Sequence, residues 1–71
     1  MTANEISRRT AAYDHAIERD ASGVTFHWPR SDMSIVYPVL RDTLAGIIGI
    51  EASMFVVRQD EITLHVPAEI A

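Results

Sequence analysis

The sequence predicts an α+β fold with the element order α-β-α-β-β: a three-stranded, mainly antiparallel sheet with two helices packed on one face. Three observations carry this. Apolar residues in segments 4–21 and 35–48 recur at helical spacing. Residues 24–28 alternate strictly between apolar and polar, the period of a half-buried strand. Segments 53–58 and 61–66 are strand-like runs separated by two residues, the signature of a hairpin. At 71 residues the chain is read as one small domain, 1–71.

The first helix is expected from about Asn4 to Ala21. Thr2 and Glu5 stand at capping-box spacing, Asn4 is a competing N-cap, and Gly23 is the stop. Its stripe of Ile6, Tyr13, Ala16 and Ile17, with Thr10 filling a gap, is narrow. Glu5 and Arg9 form a favourable i,i+4 pair.

Val24, Phe26 and Trp28 share the inward face of the first strand, and Thr25 and His27 share the other. Pro29 ends the strand, because proline has no N–H for the ladder. Arg30 and Asp32 fall in the turn that follows.

Pro38 is comfortable only in a first helical turn, which sets the start of the second helix between Ser34 and Pro38. An extended 34–37 segment before a helix starting at Pro38 is the alternative. The helix then runs to about Ile48, with Gly49 as its left-handed cap and Ile50 as the accompanying hydrophobic contact. On a wheel of 100° per residue, Ile35, Val36, Tyr37, Val39, Leu40, Leu44, Ile47, Ile48 and Ile50 span roughly 220°. A surface helix needs an apolar arc of only about 100°. The surplus is either covered by the first helix or left as an interface, since contiguous apolar patches mark contact sites. The interface expectation rests on Tyr37, Leu40, Leu44, Gly46, Ile47 and Ile48. Gly46 lies within the arc, where glycine costs about 1 kcal/mol relative to alanine, so a close backbone crossing is expected there, by the sheet, by the first helix or by a twin helix.

The closing hairpin turns at Gln59-Asp60, a pair without Gly or Asn and therefore not a strong turn signal. Its register sets Arg58 opposite Glu61, Val57 opposite Ile62 and Phe55 opposite Leu64. Pro67 ends the last strand. For the first strand, an antiparallel neighbour in the third is preferred over a parallel neighbour in the second.

Composition narrows the function. The chain has no cysteine, which excludes disulfides and thiolate metal sites. A chain this short buries only about 60% of its unfolded surface, so its core is marginal without further packing, a metal or a partner. Ten acidic residues against six basic ones, all arginine, argue against a nucleic-acid partner and against an anionic membrane surface. No run of about 20 apolar residues could span a bilayer. The opening MTANEISRR has no apolar signal core, so a cytoplasmic location is expected.

His27 and His65 are candidate ligand residues on the polar faces of their strands. With Asp32 or Glu61 they could hold zinc or nickel, or form a pH-responsive patch. No H-x-x-H or H-E-x-x-H spacing supports a metal, and solvated surface histidines are the plainer reading, so neither metal nor cofactor is expected. The Trp28-Pro29-Arg30 corner offers a stacking surface and an anion contact, against the plainer reading of a core tryptophan and a loop. No G-x-S-x-G elbow and no glycine-rich phosphate loop is present, so no catalytic residue is assigned. Exposed strand edges give a further route to partners by strand addition. The function expected is a small protein–protein interaction module: a regulatory, adaptor or inhibitory protein or a minor subunit, homodimeric through the second helix. The competing expectation is a small-molecule or metal-binding sensor or enzyme built at a subunit interface, using His27, Trp28, Arg30 and His65.

Overall fold

In the computed structural model, which describes residues 2–30 and 37–71, the elements are α1 (Thr2–Arg9), β1 (Ala16–Asp20), β2 (Gly23–Pro29), α2 (Tyr37–Thr43), a 3-10 turn (Ala52–Met54), β3 (Phe55–Val57) and β4 (Glu61–Pro67). The expectations placed on Asp32, Ser34, Ile35 and Val36 lie outside the described residues.

The α+β class holds, but the sheet has four strands, not three. Their order is β1-β2-β4-β3 and every neighbouring pair is antiparallel. The additional strand occupies the second half of the expected first helix. That helix ends at Arg9, and the buried Thr10 hydroxyl donates to the Ile6 carbonyl at 2.8 Å, a side-chain bond that competes with helix continuation. Asp20 then makes a tight turn: its carboxylate accepts from the Ser22 amide at 2.8 Å and the Ser22 hydroxyl at 2.6 Å. Gly23 follows with φ 142°, where a Cβ would run into the Val66 carbonyl oxygen. The turn brings Ile17 opposite Phe26 and Glu18 opposite Thr25. The apolar stripe beyond Tyr13 was too thin to hold a helix against these local bonds.

The expected antiparallel pairing of β2 with the last strand is observed, with Phe26 opposite Leu64 and Trp28 opposite Ile62. The hairpin register is also as expected: Phe55 faces Leu64, Val57 faces Ile62, and the Arg58 amide donates to the Glu61 carbonyl at 2.8 Å. β3 is shorter than expected because residues 52–54 wind into the 3-10 turn.

One sheet face is the core. Val24, Phe26 and Trp28 of β2 and Ile62, Leu64 and Val66 of β4 are buried there together with Ala3 and Ile6 of α1, Leu40 of α2 and Leu44 just beyond it. The Phe26 and Trp28 rings stack with centroids 5.6 Å apart and planes 12° from parallel. Each such fully buried side chain contributes roughly 1.5–3 kcal/mol, which is how so short a chain forms a core.

α2 ends earlier than the expected Ile48. The last α-type bond runs from the Leu44 amide to the Leu40 carbonyl at 3.1 Å. Three-residue turns follow, closed by Ala45 to Asp42, Ile47 to Leu44 and Ile50 to Ile47. Gly46 at φ 85° and Gly49 at φ 92° both adopt left-handed conformations, so the first of them, not the second, ends the helical path. Residues beyond Ala45 therefore do not lie on the helical wheel, and the wide apolar arc is divided between helix and loop.

Candidate functional site

The loop 45–50 is built by these two glycines. Ile47 and Ile50 turn inward and pack against the core, whereas Ile48 between them is 92% exposed. The loop is held by Arg9 at the end of α1. Its Nη1 donates to the Ala45 carbonyl at 2.7 Å and, more loosely, to the Thr43 carbonyl at 3.5 Å. These are the orphan carbonyls a helix end leaves behind. Arg9 is positioned in turn by Glu5, whose Oε1 accepts from Arg9 Nε at 2.8 Å. Arg8 Nη2 reaches the same carboxylate at 2.5 Å. The hydrogen bonds from Arg8, then Arg9, lower the Glu5 carboxyl to about 2, and the Glu5 bond raises Arg8. Between α1 and this loop lies an open groove of about 420 Å³, lined by Thr2, Glu5, Arg9, Gly46, Ile47 and Ile48.

Of the six residues expected at an interface, only Gly46, Ile47 and Ile48 come together at a surface. Leu40 and Leu44 are 0% and 2% exposed and belong to the core, which corrects their assignment to an outer helix face. Tyr37 is half-buried with its ring edge-on to Phe55 at 5.4 Å, and the Arg41 guanidinium lies over it at 5.8 Å. Among the described residues, its chain neighbours aside, no heavy atom lies within 4 Å of a Cβ built at Gly46, so neither the sheet nor the first helix makes the close crossing expected there. The glycine serves the turn instead. A wheel assigns angles but does not say what covers each one, and it fails once the backbone turns left-handed.

The second surface is the sheet face turned away from the helices. His27 and His65 share it, in diagonal positions, because Thr25 pairs with His65 and His27 with Thr63. They engage different partners. His65 Nδ1 lies 2.8 Å from the Thr25 hydroxyl. His27 Nδ1 lies 3.4 Å from Glu61 Oε2, and its Nε2 lies 2.5 Å from Glu18 Oε1. The latter contact is an ion-pair approach without an in-line hydrogen bond at Nε2. Glu18 and Glu61 sit at opposite edges of the imidazole and do not converge on one point. Among the described residues no group of three or more His, Cys, Asp or Glu is arranged to hold a metal ion.

The other two members of the expected ligand set are elsewhere. Trp28 is fully buried on the opposite sheet face, so it offers no stacking surface to a ligand. Arg30 is engaged in the fold: its Nη1 donates to the Arg58 carbonyl at 2.7 Å and its amide to the Asp60 carbonyl at 2.9 Å, fastening the β3–β4 turn. His27, Trp28, Arg30 and His65 therefore do not form one pocket. Glu18 escaped the sequence reading because it was placed on a helix. The signal that could have found it was Asp20-x-Ser22-Gly23, a turn pattern that folds Glu18 back beside His27. Glu61 was expected opposite Arg58, and it is, but its carboxylate turns to His27.

No helix among the described residues is long and apolar enough to cross a membrane. Comparison of the chain with family models, with curated proteins and with solved structures finds no match.

Proposed function

We propose that this chain is a protein–protein association module that pairs with a second copy of itself through the loop 45–50, with Ile48 as the anchor. The observation that carries the reading is the 92% exposure of Ile48 on a held backbone. A scattered exposed apolar side chain is ordinary. This one differs in its mounting, because left-handed glycines bracket it and Arg9 ties the loop to α1. A preorganised anchor loses little freedom on docking. Next to it lies the 420 Å³ groove. A knob beside a groove on one surface is self-complementary under a two-fold axis, each Ile48 entering the partner's groove. Two buried isoleucines contribute roughly 3–6 kcal/mol, comparable with the low end of the association cost, so the dimer is weak and dissociable. Such a module suits a regulatory, adaptor or inhibitory protein, or a minor subunit. The cysteine-free composition supports a cytoplasmic setting, since small secreted domains usually rely on disulfides.

The test is the mass in solution by light scattering across the micromolar range, for wild type and Ile48→Glu. A concentration-dependent dimer that Ile48→Glu converts to a folded monomer supports the reading. A wild-type chain that stays monomeric at the highest concentration, or a dimer indifferent to Ile48→Glu, overturns it.

A further inference from the structure

We propose that the open side of β1 receives an antiparallel strand from a different protein, an extended segment with the residue order base, acid, base, aliphatic. The inference goes beyond the pairing of copies through the loop 45–50 and shares no residue with it.

β1 is the longer of the two sheet edges, with five residues against three in β3. Among the described residues no strand lies beyond it, and all five of its residues are exposed. In an antiparallel ladder, alternate residues turn their N–H and C=O groups away from the neighbouring strand. β1 therefore presents a row of main-chain donors and acceptors that one more strand would satisfy. The other edge is blunted by its shortness, since the 3-10 turn at Ala52–Met54 runs straight into β3.

The side chains of β1 specify what that strand carries. Ile17 pairs with Phe26 and Arg19 with Val24, which sets both at the margin of the core face. Ile17 is 37% exposed there, so an aliphatic residue laid across it would complete its cover. Among the described residues no carboxylate forms a salt bridge with Arg19. Glu18 pairs with Thr25 on the opposite face, where its side chain is 70% exposed and no arginine reaches it among the described residues. Asp20 is kept ionised at the turn, because bonds from the Ser22 hydroxyl and then the Ser22 amide hold its carboxyl below the ordinary value. Residues directly across an antiparallel pair stand about 5 Å apart, where opposite charges attract and like charges repel. From Asp20 back to Ile17, the complement is base, acid, base, aliphatic.

A second copy of this chain fits the edge poorly. The antiparallel register that aligns all five residues of two β1 strands sets the two Glu18 carboxylates directly opposite each other and Arg19 against Ile17. The charges that repel the strand's own copy are the ones that select a complementary foreign strand. An antiparallel addition also continues the pattern of the sheet, in which every neighbouring pair is antiparallel.

Two short blocked peptides of equal composition and equal charge test this, titrated into the whole chain and followed through its amide shifts by NMR. One carries the order Lys-Glu-Lys-Val-Thr, complementary to Asp20 through Ala16. The other, Lys-Lys-Glu-Val-Thr, exchanges the acid and the base that face Arg19 and Glu18. The first should shift the β1 amides and bind roughly threefold tighter than the second, as two opposed charge pairs imply. The double variant Glu18→Arg with Arg19→Glu, at two exposed positions, should reverse that order. The readout is the β1 amides, so the result does not depend on whether copies pair through Ile48. Shifts confined to β3 around Val56 and Val57, or no saturable shift in β1, overturn the proposal. So does equal binding of the two peptides, which marks only the attraction of a basic peptide to a chain of net charge −4. An order that persists unchanged in the double variant overturns it as well.

Discussion

Arg9 Nη1 lies 2.7 Å from the carbonyl oxygen of Ala45, a contact spanning 36 residues of sequence. It joins the first helix to the end of the helical path that began at Tyr37, and so to the loop carrying Ile48. Glu5 stands behind it, accepting from Arg9 Nε at 2.8 Å while also holding Arg8. One carboxylate therefore orients the guanidinium that closes the orphan carbonyls of a distant helix end.

This chain of contacts has an acid limit. Hydrogen bonds from Arg8 and Arg9 lower the Glu5 carboxyl from its ordinary 4.5 to about 2. The group is depressed in the fold, so its stabilisation is present above its unfolded value and is lost as pH falls from 4.5 toward 2. Thermal melts followed by circular dichroism should show wild type more stable than Glu5→Gln near neutrality. That advantage should shrink steadily across the acid window. An advantage that stays constant down to the bottom of the window would mean that the carboxylate is not engaged in solution.

Two glycines should respond in the reverse of the order their sequence context suggests. Gly23 combines φ 142° with backbone on three sides, the Val66 carbonyl oxygen, the Ala68 amide nitrogen and the Pro67 carbonyl carbon. Gly23→Ala has no room, and about 2 kcal/mol or more of stability should go, through the clash and the strained backbone together. Gly46 has open space around it among the described residues, so Gly46→Ala faces the left-handed backbone, about 1 kcal/mol. Denaturant midpoints at equal slope decide between them, and a larger loss at Gly46 would restore the close crossing that the geometry argues against.

What could be read in advance follows the strength of local signals. β2 was legible because Val24, Phe26 and Trp28 alternate with polar residues and Pro29 closes the strand. The hairpin register was legible because matching Val57 to Ile62 and Phe55 to Leu64 puts large apolar groups on one face. β1 was not legible. Its single large apolar residue, Ile17, sits four after Tyr13, a spacing that imitates a helix. Gly23 reads equally as a helix stop or as the close of a turn; only the Asp20 carboxylate bonding to Ser22 favours the turn. The missed strand hid the Glu18–His27 contact as well, since Glu18 needs a strand beside β2 to reach that ring. In the second helix, Gly46 and Gly49 are both credible caps, and a helix stops at the first glycine that turns left-handed.

The correction at Leu40 and Leu44 separates core from surface on one short helix and the residue after it. Leu44 is 2% exposed among the core side chains, whereas Val39 on α2 is 44% exposed. Leu44→Ala should remove a buried isobutyl group and leave a cavity, with a loss of roughly 2–5 kcal/mol. Val39→Ala should stay within about 0.5 kcal/mol. Neither should alter the solution mass of the folded chain, because neither side chain lines the groove beside Ile48. Urea unfolding gives the first pair of values and light scattering the second. If Val39→Ala lowered the mass while stability held, the contact between copies would run along α2 itself, and the loop 45–50 would be its margin instead of its centre.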